Sequence, residues 1–405
     1  MKKKRYDVEN KHIFLEDAEL EAFHLLAKQK VLTRELMYLY ISSKTNLTFS
    51  SYKSKFFKRY ISLNLVTPVR QEREFGRKNY YRIGPNGINL LIREGYLQED
   101  FKVNTNTKNI KHHMAIQDAV IRCLDSSVRE GLNINLLSFS ELLNDDILMD
   151  SSIIPDSTLK MDNHYIFLEA DMSTENLATI QKKVERYIEI AKNNPTMQQS
   201  VVFLLDKPGR IRNIKEKLFS LEDIFLPNLN LYVLPFSRSS DLVMELLRKT
   251  RPYVERIALN NIETVAEVFS YANKHFNYSF ESIDFRDLTL QDIPSQFLPD
   301  KCYKVKSNIE NNEHHVMFLF MDEGSVKSLS RLHYLNGVLP QLGKVRKIIA
   351  LYSNSVEMEE DIVGSDYPFV LFGDGITLSE RTDRAPTFYR SNTVNRMGVV
   401  SYDSI

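Results

Sequence analysis

The chain has 405 residues, 53 Lys+Arg balanced by 53 Asp+Glu, 43% hydrophobic residues, and 23 Phe and 20 Tyr. That is apolar material for the cores of two or three domains, and no apolar run is long enough to span a bilayer. Two cysteines, Cys123 and Cys302, exclude a disulfide framework, and the basic start Met1–Arg5 has no apolar stretch behind it, so a cytoplasmic protein without a secretory signal is expected.

The neutral total conceals a division. Residues 1–111 carry 22 Lys+Arg and 12 Asp+Glu, a balance of +10, which leaves −10 on the rest. A basic head on an acidic body suits a polyanion partner, although a merely solvated basic surface has the same composition.

In the head, Ala18–Lys28 has Leu20, Phe23, Leu25 and Leu26 at helical spacing. Thr33 is placed to cap a helix over Arg34–Ile41. Thr48–Leu63 reads as a third helix with Phe56, Phe57, Tyr60 and Ile61 inward and Ser50, Ser51, Lys53, Lys55, Lys58 and Arg59 outward. Val66–Arg70 and Asn79–Ile83 read as strands flanking a basic loop that holds Arg73, Arg77 and Lys78, and Gly84-Pro85-Asn86-Gly87 starts a helix to Arg93. Three helices, a hairpin and a closing helix predict a winged helix-turn-helix over 1–99, whose third helix and wing would meet duplex DNA. A winged helix used for protein contacts is the alternative. Residues 100–111 are polar and read as a linker.

The body, 112–250, reads as α/β. A helix over Met114–Arg129 and a strand at Asn133–Phe139 precede two strands carrying Asp156 and Glu169, joined by a turn at Met161–His164. A long helix Thr174–Lys192, strand Val201–Leu205, a short helix near Arg210–Leu218 and strand Leu231–Phe236 follow. Residues 251–380 echo this order as a degenerate repeat: Pro299-Asp300 echoes Pro155-Asp156, Phe318–Asp322 echoes Phe167–Asp171, Lys347–Ser353 echoes Ser200–Asp206, and Phe320 stands for Glu169. The tail, 381–405, is expected to be poorly ordered unless docked.

An Asp after Pro155 and a Glu ending the next apolar strand are the carboxylates that one hard cation needs. Bland readings exist: Asp156 can cap a turn, and Asp171, Ser173 or Thr174 can cap the following helix. Glu169 is harder to dismiss, because a buried carboxylate is costly unless paired or metal-bound. Gln117 and Asp118 are further candidate ligands. Nothing resembles a nucleotide-binding glycine loop or a zinc cluster. His112-His113 and His314-His315 are adjacent, which does not suit a His-hydrophobic-His cation site.

The order of a winged helix, Pro155-Asp156, Leu168-Glu169-Ala170-Asp171-Met172-Ser173 and Lys183–Tyr187 resembles the replication-relaxation family of mobile elements. It is also similar to the restriction-endonuclease-like PD-(D/E)XK relaxases of conjugative plasmids. The likeness covers about residues 15–236 and departs from the pattern where Asp171 replaces the usual Lys. It implies a protein of plasmid replication or mobilisation that binds duplex DNA at an origin and nicks it with magnesium or manganese. Asp156, Glu169 and Asp171 would hold the metal and Lys183 would neutralise the scissile phosphate. Tyr187 would be a nucleophile if a covalent end is kept, or else a core residue. A non-catalytic protein with a vestigial nuclease fold, positioning other replication or transfer proteins, remains the alternative, with a transcriptional regulator whose body senses or forms a homodimer as a third.

Overall fold

The computed structural model describes residues 3–9, 11–69, 79–102, 110–144, 153–172, 175–248, 278–288, 293–307, 313–342, 345–353, 355–362, 366–374, 387–391 and 398–401. They form a mixed α/β structure in two compact units. The first comprises 1–162, 167–170 and 236–244, and the second 163–166, 171–235 and 245–405.

In the first unit, β1 (Lys4–Val8) and β2 (Lys11–Leu15) form an antiparallel hairpin that the sequence reading did not find. Its signal is the alternation that buries Tyr6, Val8, Ile13 and Leu15. Helix α1 (Asp17–Lys28) follows a capping box between Glu16 and Glu19. Helix α2 (Arg34–Lys44) is capped as expected, with Thr33 Oγ1 accepting from Leu36 N at 3.2 Å.

The third helix, α3, is not one regular helix. It runs through Phe49–Ser51, a π-helical turn at Tyr52–Phe56, and Phe57–Ser62. Tyr52 and Phe57 are five residues apart and both buried, and an α-helix cannot place such a pair on one face. The wider π turn does so, with the two rings 5.5 Å apart. Tyr60 continues the row, edge-on to Phe23 at 5.0 Å, and its hydroxyl donates to Glu19 Oε1. Burial holds the Glu19 carboxyl above its ordinary range despite that bond.

Strands β3 (Leu32–Thr33), β4 (Val66–Val69) and β5 (Tyr80–Ile83) form a sheet in the order β3-β5-β4, followed by α4 (Pro85–Arg93). Residues 70–78, the expected basic loop, lie outside the described residues, as do 103–109 of the expected linker. Helix α5 (Ile110–Glu130) starts inside the stretch read as linker. It joins the head, because Ile110 packs with Val31 and Tyr80 and Gln117 Nε2 donates to Gln29 O. The compact units therefore do not follow the expected division at 100–111.

β6 (Asn135–Leu137) pairs antiparallel with β7 (Ser157–Met161). The expected strand stops short because Ser138 and Glu141 make a capping box for α6 (Phe139–Asn144). That Ser-x-x-Glu signal was legible. β8 (His164–Asp171) is divided: 167–170 belong to the first unit and the remainder to the second.

In the second unit, α7 (Leu177–Asn193) is capped by Asn176 Oδ1, which accepts from Thr179 N at 2.8 Å. β9 (Gln198–Leu205) and β10 (Leu229–Pro235) run parallel, crossed over by α8 (Ile211–Phe219), and helix α9 (Ser239–Arg248) follows in the chain. Val201–Leu205 are all buried, as a parallel strand covered on both faces demands.

The later part of the unit is a seven-stranded sheet in chain order. It comprises β11 (Tyr278–Ile283), β12 (Lys301–Ser307), β13 (Glu313–Met321), β14 (Val345–Tyr352), β15 (Val370–Asp374), β16 (Thr387–Arg390) and β17 (Gly398–Ser401). β13, β14 and β15 are parallel, with crossovers through α10 (Val326–Val338) and α11 (Ser355–Ile362). Part of the expected tail is thus sheet, anchored by buried Phe388.

A fully buried charge cluster fastens α8 to α11. Lys215 Nζ donates to Glu357 Oε1 at 2.9 Å and to Asp361 Oδ1 at 3.1 Å. Tyr352 Oη donates to Asp361 Oδ2 at 3.2 Å, and Gly324 N to Glu357 Oε1 at 2.6 Å. Gly324 has φ +73, and a Cβ there would meet the Leu234 side chain at 2.7 Å, so only glycine brings this N–H to the carboxylate. Burial alone would pull the Lys215 ammonium down, but Asp361 and Glu357 hold it above its ordinary range.

Burial pushes Glu357 up to about 7, with Lys215 opposing and Asp361 adding to the rise. Because the folded state holds this proton more tightly than the unfolded one, the contribution is full below pH ~4.5 and is lost as pH rises through about 7. Urea denaturation at pH 5 and pH 8 checks this, and Glu357→Gln should flatten the dependence. Lys215→Met, which strands two buried carboxylates, should cost about 3–5 kcal/mol.

Candidate functional site

In the first unit, Asp156 immediately precedes β7 and reaches the neighbouring strand. Its Oδ2 accepts from Ala170 N at 2.9 Å and lies 2.8 Å from His112 Nε2 of α5. Glu169, the residue before that amide, is 2% exposed. A carboxylate that far out of water is costly unless a cation or hydrogen-bond donors face it. Of the other candidates on α5, Gln117 is buried against Gln29, and Asp118 pairs with Arg122 at 2.7 Å on the surface.

The second half repeats the device. Asp300 Oδ2 accepts from Phe320 N at 2.8 Å, and Asp300 Oδ1 meets Arg331 Nη2 at 2.9 Å. Aligned on this hydrogen bond, Phe320 takes the place of Ala170, so the residue in the place of Glu169 is Leu319. The sequence echo sets Phe320 there, one residue off, because it matches Phe318-Leu319 and Asp322 to Phe167-Leu168 and Asp171. An apolar residue stands for Glu169 in either register.

In the second unit, Asp171 ends β8 and is 2% exposed. Its Oδ2 lies 2.7 Å from Arg210 Nη1, an ion pair without hydrogen-bond alignment, and its Oδ1 accepts from Glu175 N at 3.4 Å. Arg210 Nη2 also donates to Glu175 O at 2.7 Å. Lys183 on α7 pairs with Glu175 Oε1 at 2.8 Å, and Tyr187, one turn on, is fully buried. The cap of α7 is Asn176, not Asp171; Ser173 and Thr174 lie outside the described residues.

Sequence reasoning missed His112 and Arg210. Each lies some 40 residues from the acid it meets, and no local spacing encodes such a pair. Among the described residues, no group of three or more His, Cys, Asp or Glu side chains could hold a metal ion.

On α3, Ser50, Lys53, Lys55, Lys58 and Arg59 are exposed and Ser51 is half-buried. Arg59 Nη2 donates to His12 O of the β1–β2 hairpin, whereas Lys53, Lys55 and Lys58 make no ion pair among the described residues. Arg73, Arg77 and Lys78 lie outside the described residues.

This arrangement of acids within and after a three-helix head can be compared with known families. Residues 23–203 match the replication-relaxation family. The match begins within α1 and ends within β9, so it takes in the head from Phe23 onward, Asp156, Glu169, Asp171, Lys183 and Tyr187. No curated protein and no solved structure matches the chain. No helix among the described residues is long and apolar enough to cross a membrane.

Arg210→Met should destabilise the protein by up to about 3 kcal/mol, less than for a fully buried pair because the arginine is partly exposed. Arg210→Met combined with Asp171→Asn should recover part of that loss in the same urea titration.

Proposed function

We propose that the chain is a DNA-binding protein of plasmid replication or mobilisation that nicks one DNA strand at an origin with a divalent metal. The observation that supports this reading is the Asp156–Ala170 hydrogen bond, which ties Asp156 to the strand residue next to buried Glu169, within the span that matches the replication-relaxation family.

The head then acts as a winged helix. Lys53, Lys55 and Lys58 of α3 bind phosphates, which positions the protein without reading sequence, and Ser50 and Ser51 lie at the start of the same helix. Asp156 and Glu169 suit magnesium, which is commonly held by one or two carboxylates together with water and phosphate. Bound there, the ion would supply an activated water and charge neutralisation at the phosphate. Asp171 does not fit as a third ligand, since Arg210 already neutralises it. Tyr187 lies in the core, so water rather than tyrosine is the nucleophile in this reading. Lys183 is engaged by Glu175 and must leave it to meet a phosphate.

The second reading is a DNA-binding protein with a vestigial nuclease fold, and the Asp171–Arg210 pair favours it, because that pair replaces part of the expected ligand set with an internal ion pair. Supercoiled plasmid carrying the native origin, incubated with magnesium, manganese or EDTA, separates the two. Metal-dependent conversion to open circles by wild type and not by Glu169→Ala, with duplex affinity unchanged, supports the nickase. Binding without conversion in any metal sinks it in favour of the vestigial fold.

Replacing Lys53, Lys55 and Lys58 together by Gln should weaken duplex binding and lower the salt slope by about 0.9 for each phosphate no longer neutralised. An unchanged slope would remove α3 from the DNA interface.

A further inference from the structure

Within the first unit, a cleft of about 360 Å³ lies between the end of α1, the face of α5 carrying His113 and Gln117, and the paired strands β6 and β7, with Asp156 in its wall. Its cations are not all balanced. Lys28 lies 3.7 Å from Glu141, but Lys30 and Lys102 have no carboxylate partner among the described residues. Lys30 Nζ stands 3.4 Å from His113 Nε2. Burial, with help from Lys30, keeps that imidazole below its ordinary range, so the ring receives the ammonium without countering its charge. Lys30 is held at φ +64, a conformation that ordinarily selects glycine.

The wall also holds polar atoms without partners. Gln117 is 2% exposed; its Nε2 donates to Gln29 O, while its Oε1 has no partner among the described residues. The same is true of Ser157 Oγ and Thr158 Oγ1, in residues 7% and 1% exposed. Successive strand residues face opposite sides, so one of these two hydroxyls points toward the cleft. Leaving a buried polar atom unpaired costs about 1–3 kcal/mol, which a ligand with matching groups would relieve.

We propose that this cleft binds a single nucleotide by its terminal phosphate, with Lys30 and Lys102 on the phosphate and Gln117 Oε1 accepting from the nucleoside. The choice of a nucleotide over another phosphate rests on the function proposed above. A phosphomonoester carries the second negative charge that two unbalanced lysines match, and a diester inside a duplex is too encumbered to reach groups this buried. Phe101, half-buried in the same wall, offers a ring to the base.

The test is fluorescence anisotropy of the full chain in EDTA with a short labelled single strand bearing a 5′-phosphate, against the same strand ending in a 5′-hydroxyl. The phosphorylated strand should bind about tenfold more tightly, a difference of about 1.4 kcal/mol. Lys30→Gln with Lys102→Gln should abolish the preference at an unchanged melting temperature. Competition assigns the source: 5′-dAMP displacing the strand at its own affinity indicates a free nucleotide, and weaker displacement indicates a DNA end. Equal affinity for the two strands, a preference that survives the double variant, or inorganic phosphate competing as well as 5′-dAMP overturns the proposal. Because binding is read without metal, nicking without a phosphate preference removes this inference alone, and a preference without nicking removes the nickase alone.

Discussion

Lys215 lies wholly out of water, and that is tolerable only because Glu357 and Asp361 are delivered to it from a helix more than 140 residues later. The two carboxylates need their own donors, which Tyr352 and Gly324 provide. Burying an ion pair gains little over packing apolar groups, but breaking one is severe. The cluster therefore ties α8 to α11 through partners that each need the others.

The same constraint, that a polar group taken from water must meet a partner, shapes the candidate site. Asp156 is spent partly on a strand amide and partly on His112, and Asp300 on a strand amide and Arg331. One way of tying a carboxylate to a neighbouring strand thus serves in both halves of the body. What differs is the strand residue before the amide: Glu169 in the first half and Leu319 in the second. The tie itself is the same whichever residue stands there. Asp171 shows the intermediate case, an acid at the strand end whose charge is answered internally by Arg210.

Much of the architecture was legible because it is written locally. The cap Thr33, the apolar runs of β9 and β14, and the Pro-Asp before β7 are short-range signals. Ser138 with Glu141 was equally local and was overlooked, as was the alternation in the β1–β2 hairpin. The π turn in α3 could be seen only as a misfit, two aromatic residues five apart that an α-helix cannot both bury. The stretch 100–111 is a different matter. Polar composition marks a segment as a linker, but Ile110 and Gln117 find their partners on β5 and the α1–β3 turn.

By itself, the sequence determined the order of strands and helices, the basic outward face of α3 and the identity of the acids at the strand ends. These follow from periodicity, capping and charge, each settled within a few residues. Only the tertiary structure decided which group answers each buried charge: His112 for Asp156, Arg210 for Asp171, Lys215 for Glu357 and Asp361. Such pairs are chosen by where packed elements bring side chains together, and electrostatic pairing across 40 to 140 residues leaves no mark on local spacing.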